Sequence, residues 1–139
     1  MDLERSIADC LENKRFPSLQ LLYSQCSVVA YIFNEHDLAG DMVERTIETE
    51  KQVSRKAEAF GMYLFYHGLI SFVLARKTKS DKWLTRANEA LSEMEKYAKI
   101  GPCNFQHKLL LLEAENAYLF GDIDSAMIKY DRAIVTAGE

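Results

Sequence analysis

The sequence predicts an all-α protein: an α-solenoid of about three antiparallel helix pairs, tetratricopeptide-like, with a short N-terminal helix. Apolar residues recur at helical spacing, and β-branched residues do not alternate as they would in strands. Only two prolines and six glycines interrupt 139 residues, which suits long helices with short joints. Small and large side chains recur at matching intervals in separate segments, as expected where α-hairpins stack.

Composition restricts the class of function. Hydrophobic residues make up 48% of the chain, enough for a folded core. The net charge of −4 disfavours a nucleic-acid partner, which needs a basic surface. No apolar run is long enough for a transmembrane helix, and the acidic N-terminus has no apolar signal core. We therefore expect a cytoplasmic protein with no membrane partner.

A proline divides the chain into two parts. Residues 1–16 are predicted to form an N-terminal helix and joint, because Ile7 and Leu11 lie at helical spacing before Pro17. Residues 17–139 are predicted to form the helical repeat domain. Its helix pairs are expected at about 17–59, 60–100 and 103–137.

The first pair combines an apolar helix with a charged one. The stretch from Pro17 to about Asn34 is apolar on more than one face, so we expect it to be buried between neighbours. A charged helix is predicted from Leu38 to about Ala59.

The second pair contains a glycine within an apolar helix predicted over residues 60–75. Gly68 would cost about 1 kcal/mol against alanine there, so we expect a close helix contact at this position. A polar loop is predicted over residues 76–81, followed by a helix from about Lys82 to Lys99.

The third pair, from Asn104 to Ala137, carries the clearest turn. Gly121 can adopt positive φ and end the first helix, and Asp122 or Asp124 can cap the second. Asn104 is predicted to cap the first helix. Its ladder of Leu110, Ala114, Ala117, Ala126, Tyr130 and Ala133 has the same intervals as Tyr23, Ser27, Ala30, Ala39, Val43 and Thr46 in the first pair.

The last third of the chain resembles a particular family. Residues 102–108, with Leu110, Gly121 and Tyr130, resemble the tetratricopeptide-like helical-repeat region of large signalling proteins. Those proteins combine a Ser/Thr-kinase-like domain, a STAND/AAA ATPase domain and often GAF/PAS-histidine kinase modules. Residues 65–69, Trp83, Ala87 and residues 97–99 are similar to the same region, and the resemblance covers roughly residues 17–139.

The resemblance implies a scaffold role. The family's kinase, ATPase and phosphorelay motifs have no counterpart here, and its chains continue past the position of Glu139 with further helices. We therefore expect a fragment or a short stand-alone relative.

No catalytic residue, cofactor or metal site is predicted. His36, His67 and His107 lack neighbours at ligand spacing, so we expect surface or packed histidines. No Gly-rich phosphate loop is present. The three cysteines, Cys10, Cys26 and Cys103, are scattered and are expected to be reduced thiols.

Charged groups leave one alternative open. Glu113, near Lys108 or Tyr130, is interpreted as a structural acid rather than a general acid or base. The basic residues Arg76, Lys77, Lys79 and Lys82 are interpreted as a solvated loop, with contact to phosphate or an acidic peptide as the alternative.

The leading hypothesis is a non-catalytic protein–protein interaction scaffold. A protein or peptide partner would dock in the concave groove lined by the first helix of each pair. A ligand-sensing helical domain with an aromatic pocket along residues 60–75 and a purely structural spacer are the alternatives. A homodimer through the uncapped C-terminal helix pair is also expected. The candidate partner-binding residues are Phe65, Leu69, Phe72, Lys108, Glu115, Tyr118 and Leu119.

Overall fold

The fold is entirely helical in the residues that the computed structural model describes, 2–54 and 61–138. Seven α-helices and no strand lie in these ranges, which confirms the predicted all-α class. The chain divides into two compact units, Met1–Tyr63 and Leu64–Glu139. The helices are α1 (Leu3–Glu12), α2 (Phe16–Ile32), α3 (His36–Glu50), α4 (Gly61–Thr78), α5 (Asp81–Ile100), α6 (Pro102–Leu119) and α7 (Ile123–Ala137).

The first unit packs α1, α2 and α3 around one apolar cluster. Helix α2 packs along α3, and α1 packs against α2. Burial of these side chains supplies hydrophobic free energy in proportion to the apolar area removed from water. The cluster is formed by Cys10, Leu19, Tyr23 and Met42, with Ile7, Phe16 and Cys26 packed against them.

Helix starts in the first unit follow local signals. The Asp2 carboxylate caps α1 by accepting a hydrogen bond from the backbone N–H of Arg5 at 3.2 Å. Helix α2 begins at Phe16, one residue before the predicted start. Pro17 lies in its first turn, where a backbone N–H would have no helical partner in any case.

The second helix of the first pair is shorter than predicted. It ends at Glu50 rather than near Ala59, so this predicted boundary is wrong. Lys51, Gln52 and Val53 each donate a backbone hydrogen bond to the carbonyl three residues earlier, at 3.3, 2.9 and 3.2 Å. Such bonds tighten the last turn and end the α-helical path. The rest of the predicted helix, from residue 55, lies outside the described residues.

The second unit contains α4 from Leu64 onward and α5 to α7. The joint between α4 and α5 differs from the prediction. Helix α4 continues through Thr78, so the polar loop predicted over residues 76–81 is wrong. Only Lys79 and Ser80 separate the two helices. Arg76 is therefore helical, in a last turn where the helix dipole favours cations.

The start of α6 also differs. The helix begins at Pro102 with Gly101 as its N-cap, so the assignment of Asn104 as the cap is wrong. Because the φ of a proline at the first position is already helical, the helix begins before Asn104. In the first turn of α6, the Phe105 ring stacks on that of Tyr97 in α5, with 5.3 Å between centroids.

Gly68 allows α4 to approach two other helices. A Cβ at this position would lie 3.2 Å from Cβ of Ala90 in α5 and 3.0 Å from Cδ2 of Leu112 in α6. Both distances are shorter than comfortable carbon–carbon contacts. The close contact predicted at Gly68 is therefore confirmed, and it explains a glycine in mid-helix.

The hairpins α2–α3 and α6–α7 repeat one architecture. His36 and Ile123, the first residues of α3 and α7, are 87 positions apart, and both helices have 15 residues. The ends of α2 and α6, Ile32 and Leu119, have the same offset. Ladder side chains are buried in both pairs, except for Ala117 and Tyr130, which are half-buried.

One turn geometry closes the first helix of each hairpin. Asn34 has φ 61° and Gly121 has φ 81°, both in the left-handed region. The following N–H, of Glu35 or Asp122, donates to the carbonyl five positions earlier, at 2.8 and 2.9 Å, as in a Schellman motif. Asp122 also caps α7, since its carboxylate accepts from the backbone N–H of Ser125 at 3.1 Å.

None of the helices in the part of the chain that the structure describes has the length and apolar character to cross a bilayer.

Candidate partner-binding site

An open pocket of about 550 Å³ lies where the two helix–turn–helix bends of the second unit meet. Its size is within the range of sites that take a small ligand or a few side chains. One wall comes from the end of α4 and the start of α5. The other comes from the end of α6 and the start of α7. The lining residues are Ala75, Arg76, Lys79, Ser80, Asp81, Leu84, Tyr118, Leu119, Phe120 and Ile123.

The α6–α7 wall is apolar and largely exposed. Phe120 is 68% exposed, and about half of the surface of Tyr118 and of Ile123 is accessible. The turn explains this exposure, because Phe120 is the C-cap residue immediately before left-handed Gly121. Clustered apolar side chains left in water are typical of interaction sites.

Arg76 is fixed beside this wall by two contacts. Its guanidinium forms an ion pair with Glu115 of α6. It also lies over the ring of Tyr118, 4.7 Å from the centroid, where the aromatic face attracts a cation. The side chains of Arg76 and Glu115 are only 27% and 13% exposed, so the pair is partly shielded from water. The arginine therefore holds a set position at the pocket.

Glu115 extends this contact to a third helix. Its Oε1 accepts a hydrogen bond from the hydroxyl of Tyr130 in α7 at 2.5 Å. One carboxylate thus ties α4, α6 and α7 together behind the pocket. Glu113, interpreted from the sequence as a structural acid near Lys108 or Tyr130, pairs with Lys129 at 3.5 Å.

The α4–α5 side of the pocket carries positive charge. Lys79 is exposed and holds φ 55°, which turns the chain sharply between the two helices. Ser80 is the N-cap of α5, but its side chain makes no capping hydrogen bond. The first backbone N–H groups of α5 therefore receive no capping hydrogen bond from the Ser80 side chain. These groups form the positive end of the helix dipole, which lies beside the pocket.

Two of the predicted partner-binding residues line this pocket: Tyr118 and Leu119. Glu115 lies behind it in the ion pair with Arg76. Lys108 is half-buried, with its ammonium 5.4 Å from the centroid of the Phe105 ring. It does not line the pocket.

The remaining candidates lie on α4. Leu69 and Phe72 are buried, and Phe72 has no accessible surface, so their assignment to an exposed groove is wrong. The prediction treated one face of this helix as free, whereas an apolar helix of this kind is covered on several sides. Phe65 is half-buried and meets the edge of the Tyr66 ring, with 5.4 Å between centroids.

The sequence prediction missed several pocket residues. Arg76 was assigned to a solvated loop because the end of α4 was placed too early. The positions of Phe120 and Ile123 beside the predicted turn could have indicated their exposure. Turns lie at the protein surface, so large apolar residues next to Gly121 have little room to be buried.

Side chains suited to holding a metal ion are not assembled in residues 2–54 and 61–138. No cluster of three or more His, Cys, Asp or Glu side chains there is arranged to hold a metal ion. All three cysteines are free thiols. Burial raises the pKa of the Cys26 thiol above its usual range, which makes it a poorer nucleophile.

Comparisons with protein-family models, with curated proteins and with solved structures find no match.

Proposed function

We propose that this chain is a non-catalytic protein–protein interaction scaffold of the tetratricopeptide type. The observation that carries the proposal is the pocket between the two bends of the second unit. It combines an exposed apolar wall with a fixed arginine. Binding energy in protein interfaces concentrates where aromatic and arginine side chains surround a small pocket.

Packing within the second unit supports the repeat part of this proposal. Gly68 brings α4 against both α5 and α6, and α6 packs along α7. In stacked α-hairpins, the first helix of one pair contacts the first helix of the next. The hairpin repeated after 87 residues is a second sign of this construction. The α-solenoid arrangement of about three pairs belongs to the same proposal.

In the proposed mechanism, a partner segment inserts an apolar side chain between Phe120 and Leu84. The partner binds as an extended or helical peptide. Charged groups at the rim then select among partners, because mismatched charges are costly to bring together.

The biological setting is proposed from the family resemblance. A helical-repeat region beside kinase-like and STAND/AAA ATPase domains would assemble or transmit signals in the cytoplasm. Here the chain would be a relative of that helical-repeat region.

A random decapeptide library displayed on phage tests the proposed function. The protein is expected to enrich a set of peptides whose binding is lost in Phe120→Ala. Phe33 provides a matched control, because it is the C-cap of α2, is 74% exposed and precedes left-handed Asn34. Phe33→Ala should leave binding unchanged. A library that yields no enriched peptide would favour the structural spacer.

The ligand-sensing alternative has less support. Its aromatic pocket was expected along residues 60–75, but Phe72 is fully buried. The pocket described above lies at the C-terminal end of α4, and neither Phe65 nor Phe72 lines it.

A homodimer through α7 is a second proposal with its own observation. The helix exposes several large apolar side chains, which water disfavours. Sedimentation equilibrium should show a dimer that Met127→Glu dissociates, and a monomer at all concentrations would contradict this proposal. The exposed residues are Met127, Ile128, Ile134 and Val135.

A further inference from the structure

We propose that the pocket binds an acidic peptide segment with one apolar anchor side chain. This inference rests on the proposed interaction function and names the chemistry of the partner. It depends on the apolar walls of the pocket, on the charge of its rim and on the position of Arg76.

The apolar walls fit a single anchor. Leu84 and Leu119 are half-buried, and Tyr118, Phe120 and Ile123 stand more exposed around them. A leucine or phenylalanine side chain placed among these groups would remove apolar surface on both partners from water. Such burial favours binding in proportion to the apolar area removed from water.

The α4–α5 side of the rim has the opposite charge to the chain as a whole. The protein carries a net charge of −4, but residues 76–82 contain four cations and one carboxylate, that of Asp81. Part of this segment lines the pocket directly, through Arg76, Lys79 and Asp81. A partner segment with several carboxylates would be attracted to this rim, while a basic segment would be repelled.

Arg76 and Lys79 have different roles at the rim. Glu115 balances most of the charge of Arg76 and holds its guanidinium against Tyr118. Lys79 is exposed at the pocket edge and can move to meet an incoming carboxylate. The uncapped start of α5 adds a partial positive charge on the same side. Lys79 is therefore the residue expected to determine the preference for acidic partners.

The shape of the site favours a peptide over a free small anion. The pocket is open, and its apolar residues outnumber its charged ones. A free carboxylate or phosphate would leave the exposed Phe120 side chain in water, whereas a peptide covers the apolar wall and the basic rim together.

The test uses peptides enriched from the random decapeptide library, resynthesised with a fluorescein label and measured by fluorescence anisotropy. The enriched peptides should be richer in Asp and Glu than the library and should share one large apolar residue. Replacing their Asp and Glu by Asn and Gln should raise Kd about tenfold or more, as should Lys79→Glu. Lys14→Glu is the matched control, because Lys14 is exposed, has φ 54° and does not line the pocket.

The outcomes separate this inference from the function on which it rests. Neutral or basic peptides that need Phe120 would overturn the acidic partner and leave the interaction function standing. No enrichment, or binding that ignores Phe120→Ala, would overturn both. A twenty-residue oligothymidylate that displaces the peptides, with a loss of its own binding in Lys79→Glu, would show a nucleic-acid site and overturn the inference.

Discussion

Asn34 and Gly121 occupy the same position in two hairpins, 87 residues apart along the chain. Each follows the C-cap of its helix with a left-handed backbone, at φ 61° and 81°. In each hairpin, the backbone N–H of the next residue donates a hydrogen bond to an alanine carbonyl, that of Ala30 or Ala117. Ala30 is buried and Ala117 is half-buried. The match shows that one turn can be built with either of the two residue types that tolerate left-handed geometry best.

Replacing Gly121 should show how much stability depends on glycine at this left-handed position. Gly121→Ala is expected to lower the free energy of unfolding by about 1–2 kcal/mol, because a Cβ is strained at positive φ. No atom lies within 4 Å of the added Cβ, so the loss would come from the backbone alone. Urea unfolding followed by circular dichroism measures it.

Gly138→Ala is the matched control for this substitution. The added Cβ would lie 3.5 Å from the nearest atom, the carbonyl oxygen of Val135, and φ is −81°. Its effect should stay within about 0.5 kcal/mol. Equal losses in the two variants would mean that the Gly121 turn is not under the constraint described.

Gly68 gives a packing prediction. Alanine in mid-helix normally stabilises by about 1 kcal/mol over glycine, but this gain should be absent in Gly68→Ala, because its Cβ would meet Leu112 and Ala90. Gly68→Val should destabilise by about 1–3 kcal/mol through overpacking. Combining Gly68→Val with Leu112→Ala should cost less than the sum of the two single changes, since the second makes room for the first. Strict additivity would contradict the contact.

The carboxylate of Glu115 gives an electrostatic prediction. Tyr130→Phe should cost about 1–2 kcal/mol of unfolding free energy, because it removes a hydrogen bond to a charged group. Glu115→Gln should cost about 2 kcal/mol, because the shielded Arg76 loses its counter-charge.

An exposed ion pair on α3 is the control for these substitutions. Arg45 and Asp41 lie 3.0 Å apart with about half of each side chain exposed. Asp41→Asn should therefore cost less than about 0.5 kcal/mol. If it costs as much as Glu115→Gln, the carboxylate behind the pocket has no special structural role.

The cysteines should react in a fixed order. Cys103 is exposed, whereas Cys10 is buried and Cys26 is half-buried with a raised thiol pKa. The thiolate attacks iodoacetamide and displaces iodide, so native protein at pH 8 should be labelled first at Cys103. Labelling at Cys26 should keep rising above pH 9, because its thiol ionises only at a pH higher than usual. Peptide mass spectrometry reads each site, and equal rates in native protein would contradict the burial.

The sequence was informative where a local signal determines the structure. Gly121 and Asp122 gave the turn of the third pair, and Gly68 gave a helix contact, because each has a steric or hydrogen-bonding requirement visible in one chain segment. The end of α3 was missed because its last turn has no glycine or proline. The hydroxyls of Thr46 and Thr49 donate to carbonyls four residues earlier, a bonding pattern that weakens a helix slightly.

The candidate site was less predictable, because exposure depends on neighbours distant in the chain. Leu69 and Phe72 look the same in sequence whether a helix face is covered or free, and here both are buried. Arg76 is held at the site by Glu115 and Tyr118, which lie 39 and 42 residues later in the chain. Tyr118 and Leu119 line the pocket beside the turn, where local geometry and exposure are linked.

Hydrogen–deuterium exchange with and without an enriched peptide locates the binding site along the chain. The peptide is expected to slow exchange in residues 75–84 and 118–123, the two bends that line the pocket, and to leave the corresponding bend at residues 31–36 unchanged. Protection confined to the α2–α3 bend or to the outer face of α7, with none at the pocket, would contradict the proposed site.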